Sequence, residues 1–241
     1  MVKIVALLTA RGNNTMKDKN IRVVAGHPLL YYPATAAKNS KYIDSFYVSS
    51  DDEKILDVAS ACGYKRIKRP DILALPNAQH IDSILHALKY MKEQDNVVPS
   101  ILVVLLGNSA TIKTEWIDEC IELLLSNENL SAAVPVTENS DHHPFRAKKI
   151  AKNGLLDTFF DFKGKKISTN RQDLEPSYYL CHNFWVLNLK KSIYSNEEGQ
   201  APWTFMGNLV KPYIVENSFD VHDEDDIEKT EKWIKDNIDE K

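Results

Sequence analysis

Residues 100–106 read Ser-Ile-Leu-Val-Val-Leu-Leu, one of several short apolar runs that alternate with amphipathic segments of helical period. An apolar run without polar alternation has to be covered on both faces, which is the lot of a central strand in a parallel sheet sandwiched by helices. Residues 2–9, 44–49, 65–68 and 131–136 give further strands on the same reading, and residues 28–39, 53–62, 81–93 and 114–126 give the helices between them. In residues 81–93 the apolar set Ile81, Ile84, Leu85, Leu88 and Met91 falls on one face, and Gly63 supplies a stop for the helix before it. The expected fold class is therefore α/β, a doubly wound, mostly parallel sheet. In such sheets ligands sit beyond the carboxyl ends of the strands, which selects the polar loops 9–20, 49–52, 107–113 and 137–146.

Residues 140–185 break this rhythm with two glycines, a lysine-rich stretch and several aromatics, and read as an antiparallel arm or flap inserted into one domain of residues 1–241. The tail from residue 224 returns to a charged amphipathic helix. Composition narrows the function classes. The formal net charge is −4 and no long basic run occurs, so duplex nucleic acid, which needs a positive face, is not an expected partner. The 3 cysteines are far apart and form no C-x-x-C, which argues for reduced thiols in a cytoplasmic setting. The apolar start is too short for a secretion signal, and no run is long enough to span a membrane.

The loop after the first strand, residues 9–20, carries Ala10, Arg11, Gly12, Asn13, Lys17, Lys19 and Asn20. A glycine for close backbone approach, small polar side chains and three cations at a strand end suit a triphosphate. A solvated basic loop is the plainer alternative. No G-x-x-x-x-G-K-[ST] is present, so this is not a Walker A loop.

Arg11-Gly12 followed by Lys19-Asn20 and then Gly26-His27-Pro28-Leu29-Leu30 resembles the opening of the acylneuraminate cytidylyltransferase family, whose relatives include CMP-Kdo synthetases and alkylphosphonate cytidylyltransferases. Five more pieces match in order: Val48-Ser49-Ser50-Asp51, Arg69-Pro70 with Leu73-Ala74, Asn170-Arg171-Gln172-Asp173-Leu174, Asn183 before Phe184-Trp185-Val186, and Asp220-Val221-His222 with Asp226. The resemblance spans nearly the whole chain. It implies a Rossmann-like nucleotidyltransferase that moves CMP from CTP to a small anionic acceptor with Mg2+ and releases pyrophosphate. It also implies a homodimer, because the family's arm crosses to a second subunit. By the same resemblance Arg11, Lys19 and Asp220 are the catalytic set. Ala10, Gly12, Asn13, Arg69, Asn108 and Ser109 join Arg11 and Lys19 around the nucleotide, and Asp220 is the metal ligand.

Two departures from the family pattern stand out. His222 occupies a position where a second aspartate is usual, and imidazole is a poor Mg2+ ligand. Asn108 stands near an aspartate of CMP-Kdo synthetases, and an amide cannot supply that charge. The changed loop 107–113 points to a different acceptor, with a small alkylphosphonate as the sharper expectation and a nonulosonic or Kdo-type sugar acid as the other. His142, His143 and Arg146 read either as an anion cradle or as a solvated turn at Pro144. Arg171, Gln172, Tyr179 and Asn183 complete the expected acceptor set. A different nucleotide, or a nucleotide sensor without catalysis, are the competing readings of the same residues.

Overall fold

A computed structural model of the chain describes residues 2–12, 16–139 and 142–238. The first strand, β1 (Ile4–Thr9), is buried along its whole length. A two-strand hairpin follows, β2 (Val23–Val24) and β3 (His27–Pro28), turned through Ala25 (φ 44) and Gly26 (φ 87). Two successive positive φ values make a type I′ turn, which glycine adopts freely and alanine does not. This hairpin takes up Pro28, so α1 (Tyr31–Lys38) begins three residues later than the apolar spacing predicts.

The alternation then continues with β4 (Ser45–Ser50), α2 (Glu53–Ala61), β5 (Lys65–Lys68), α3 (His80–Asp95), β6 (Ile101–Leu106), α4 (Thr114–Ser126) and β7 (Ala132–Glu138). Strands β6, β1, β4 and β5 lie side by side and parallel. The period of two sorts β1 between two cores. Ile4, Ala6 and Leu8 pack with α1, α2 and α4, through residues such as Ala34, Leu56 and Ile117. Val5 and Leu7 pack with Ile84, Leu88 and Met91 of α3 on the other face. Both faces are thus covered, as an uninterrupted apolar strand requires.

After a small hairpin of β8 (Lys148–Ile150) and β9 (Leu156–Thr158), the chain returns as β10 (Tyr178–Leu180), β11 (Phe184–Asn188) and β12 (Val210–Ile214), and ends in α5 (Glu224–Asn237). Strand β11 inserts antiparallel between β6 and β7, β10 extends along the same edge of β7, and β12 pairs parallel on the other edge. The described residues form an eight-stranded mixed, mostly parallel sheet with helices on both faces. The expected arm of residues 140–185 is therefore too long at its end. Tyr178–Leu180 satisfies the backbone of Glu138, Thr137 and Val136, which would otherwise be an open edge, so the part outside the sheet closes at about residue 177. Helix α5 lays Ile227, Trp233 and Ile234 on Val24, Leu29 and Tyr32, and so brings the end of the chain back to the first loop. Among the described residues no helix is long and apolar enough to cross a membrane.

Candidate active site

The carboxyl ends of β1 and β6, with the residue that follows β5, open onto a cavity of about 370 Å³ lined by Thr9, Ala10, Arg11, Lys19, Asn20, Arg69, Asn108 and His222, with residues 73–83 closing its far end. The loop after β1 is held in shape by side chains that take up its backbone groups. Gly12 N–H donates to Asp51 Oδ1 (3.1 Å), and a Cβ at Gly12 would lie 2.6 Å from Asp52 Oδ2, so only glycine passes. Asn20 donates its amide to the Arg11 carbonyl (2.9 Å). Asn13 lies outside the described residues.

Lys19 is buried, and its ammonium donates to the Val221 carbonyl (2.8 Å), tying the first loop to the segment before α5. Burial lowers its pKa, and the Asp220 carboxylate opposes that shift. Asp220 Oδ2 accepts from Asn108 Nδ2 (3.2 Å) and stands 3.0 Å from His222 Nε2. Asn108 also accepts the Val221 N–H through its carbonyl (2.9 Å), so Asn108, Asp220 and Lys19 meet on one short stretch of backbone. The neighbouring acidic run does helix work: Asp223 caps α5 through the Asp226 N–H (3.0 Å), and Asp226 accepts the His222 N–H (3.0 Å). No group of three or more His, Cys, Asp or Glu suited to a metal occurs among the described residues. The Asp220 set nevertheless fits Mg2+. Both bonds described for this carboxylate use Oδ2, and a cation shared with phosphates needs only one or two protein carboxylates.

The far end of the cavity has a different chemistry. Arg69 is buried and donates to the Ser49 carbonyl (2.8 Å) and hydroxyl (3.2 Å); burial pulls its pKa down to about 10, so it stays cationic near neutrality. Around it stand Leu73, Leu75, Ala78, Gln79, His80 and Ser83. His80 opens α3, packs its ring at a tilt against Trp185 (5.3 Å between centroids) and meets Thr9 Oγ1 through Nε2 (2.9 Å). Burial first, and then the Arg69 charge, pull its pKa from 6.5 to about 4. Between those two values the unfolded chain binds a proton at this position and the folded chain does not. His80 therefore costs nothing above pH 6.5 and destabilises the fold progressively as pH falls toward about 4. His80→Gln should remove up to about 3 kcal/mol of that acid-side loss. Urea midpoints of the two proteins at pH 7 and 4.5 test this, and parallel slopes would refute it.

Several expected site residues lie elsewhere. Ser109 is fully buried, and its hydroxyl donates to the Phe219 carbonyl (2.9 Å), so it holds the last loop and does not face the cavity. Asn183 is also sealed, with its amide on Ser218 Oγ (2.9 Å) and the Thr111 carbonyl (3.2 Å). His143 is neither an anion cradle nor a solvated turn. It is buried, its Nδ1 accepts the Phe145 N–H (3.1 Å), and its Nε2 reaches the Glu175 carbonyl (3.1 Å), pinning the two ends of the arm together. His142 and Arg146 are exposed beside it, and Arg171 and Gln172 are exposed on a short 3-10 turn of the arm. Tyr179 donates to the His142 carbonyl. None of these seven acceptor positions lines a described cavity; instead Tyr178, on the opposite face of β10, lines a second one of about 340 Å³ with Val136, Gln200, Trp203 and Met206. His182 stands between the two regions, 5.3 Å from the Trp203 ring and 5.8 Å from the Trp185 ring. Burial lowers its pKa, and the charge of nearby Asp220 partly offsets that.

The family profile described as Cytidylyltransferase matches residues 5–229. The chain belongs to the cytidylyltransferase family. It is 29% identical over 191 residues to N-acylneuraminate cytidylyltransferase A of Danio rerio, covering 79% of this chain and 42% of that protein. It is 30% identical over 131 residues to 3-deoxy-manno-octulosonate cytidylyltransferase of Thermodesulfovibrio yellowstonii, covering 54% and 49%. The chain thus spans about half the length of these curated relatives or less. Its fold is shared with CMP:2-keto-3-deoxy-manno-octonic acid synthetase, solved in complex with CTP, at a TM-score of 0.69 and 14% identity over 98% of this chain and 100% of that one. The α3 end of the cavity is the part that the sequence does not signal. Gln79, His80 and Ser83 sit at the start of an ordinary amphipathic helix, and nothing in its periodicity marks that turn as facing a ligand.

Proposed function

We propose that this chain transfers CMP from CTP to a sugar acid and releases pyrophosphate. The observation that carries the reading is the polarity of the cavity in a chain matched as a cytidylyltransferase over residues 5–229. One end has Ala10, Arg11 and Lys19 for a triphosphate; the other has an apolar wall with Arg69 and His80 for a base; Asp220 lies beside the cationic end. Lys19 and Arg11 stabilise the charge that builds on the departing pyrophosphate. The acceptor hydroxyl forms the new bond to the α-phosphorus as the bond to pyrophosphate breaks, and its proton passes to water. Asp220, with phosphate oxygens and water, would hold a Mg2+ ion that neutralises the triphosphate.

Space supports this acceptor class. A two-carbon phosphonate would be lost beside a second cavity of about 340 Å³ next to His182 and Trp203, whereas a sugar acid of eight or nine carbons has substituents to place there. The arm favours a homodimer, because Ile150 (77% exposed), Leu156 (76%) and Phe159 (56%) offer apolar surface that a second copy would cover. The test is pyrophosphate release with Mg2+ and CTP over N-acetylneuraminate, Kdo and 2-aminoethylphosphonate, with ATP, GTP and UTP as controls. Release with CTP and one sugar acid is expected. Release with the phosphonate alone overturns the acceptor class, and CTP binding without release favours a sensor, the reading that uncharged Asn108 beside Asp220 supports.

A further inference from the structure

We infer that His80 is the residue that selects the base, its bare Nδ1 accepting a hydrogen bond from the exocyclic amino group of cytosine and rejecting the carbonyl oxygen that uracil carries there. This rests on the cytidylyl-transfer reading and assigns a specificity residue within it.

The tautomer follows from hydrogen-bond accounting. Thr9 is buried, and its single hydroxyl proton goes to the Leu105 carbonyl (3.1 Å). Toward His80 Nε2, 2.9 Å away, Thr9 Oγ1 can then only accept, so the proton of the ring sits on Nε2. A neutral imidazole has one N–H, which leaves Nδ1 as an acceptor. The surroundings keep it neutral, since burial and the Arg69 charge both oppose a second proton. Nδ1 has no partner among the described residues, yet it is not among the sealed polar atoms, unlike His86 Nδ1 on the same helix. The surface that His80 retains opens into the cavity it lines, at the apolar end where Leu73, Leu75 and Ala78 would flank a flat ring. The ring is held in place from two sides, by the tilted contact with Trp185 and by the bond of its far nitrogen to Thr9.

A fixed acceptor distinguishes the two pyrimidines. Cytosine presents an amino donor at position 4 and uracil presents an acceptor, and two acceptors face to face leave both unpaired in a desolvated pocket. The wild-type chain should bind CTP on the order of 100-fold more tightly than UTP.

His80→Gln separates the two functions of the ring. The glutamine amide nitrogen replaces Nε2 and can still donate to Thr9, but nothing replaces Nδ1. Calorimetric titration of CTP, UTP and dCTP in the presence of Mg2+ into wild type, His80→Gln and His80→Asn is the experiment. The expected result is a CTP over UTP preference that falls to within about threefold in His80→Gln and is partly kept in His80→Asn, whose side-chain oxygen lies where Nδ1 was. A preference that survives in His80→Gln, or a wild type that binds both nucleotides equally, overturns this inference alone. A His80→Gln effect that appears between CTP and dCTP, and not between CTP and UTP, assigns His80 to the ribose and also overturns it. A wild type that binds no CTP sinks the cytidylyl-transfer reading and this inference with it.

Discussion

Asp220→Asn is expected to lower kcat for CMP transfer about a thousandfold while CTP binding measured without metal stays within about threefold. The substitution is nearly isosteric. Asn108 Nδ2 still finds an oxygen to donate to, and the backbone bonds that hold the segment, Val221 N–H to Asn108 and Lys19 to the Val221 carbonyl, do not involve the carboxylate. What disappears is the charge. His222 beside it cannot replace an oxygen ligand for a hard cation, and Asn108 is already an amide, so the described site has no second carboxylate in reserve. Single-turnover pyrophosphate release with saturating CTP reads the effect. A variant that keeps kcat within tenfold would remove Asp220 from the catalytic set.

Trp185→Ala should cost about 4 kcal/mol of stability, within the range for emptying a large aromatic site in a core. Trp185 is almost completely buried near the start of β11, and its indole N–H donates to the Cys181 carbonyl (3.1 Å). Truncation leaves both a void and an orphaned carbonyl. The same ring packs against His80, His182 and Phe205, so it joins the base end of the cavity to the Trp203 region. The loss should appear as a lower urea midpoint at unchanged m-value, together with weaker nucleotide binding in the fraction that remains folded. A midpoint shift worth less than 1 kcal/mol would show that the neighbouring rings close over the gap.

Much of the fold is legible in the residues alone. The apolar runs of β1 and β6, the period of α3 and α4, and the glycine after α2 each state their own local structure, because burial on both faces of a strand or along one stripe of a helix leaves a direct imprint on residue order. The chain order of the polar loops also located the cavity, since parallel strands deliver their carboxyl ends to one side. Arg11, Lys19, Arg69 and Asn108 do line it. The errors are of one kind. Ser109, His143 and Asn183 are polar residues beside strand ends, and sequence cannot say whether such a side chain points into a cavity or back into the protein to satisfy a carbonyl. His80 is the converse: a histidine in the first turn of an unremarkable helix that becomes part of the site because the sheet aims that turn at Thr9.

The sequence by itself determined the strand–helix alternation of the first half, the family and the loop that carries the cations, because each is written in a run of neighbouring residues. Tertiary structure alone decided that β10 and β11 close the sheet rather than the arm, that Asp220 meets Asn108 across 112 residues, and that His80 lines the cavity with its Nε2 at Thr9. These depend on which backbone and side-chain groups, distant along the chain, are left to satisfy one another once the cores on the two faces of the sheet have packed.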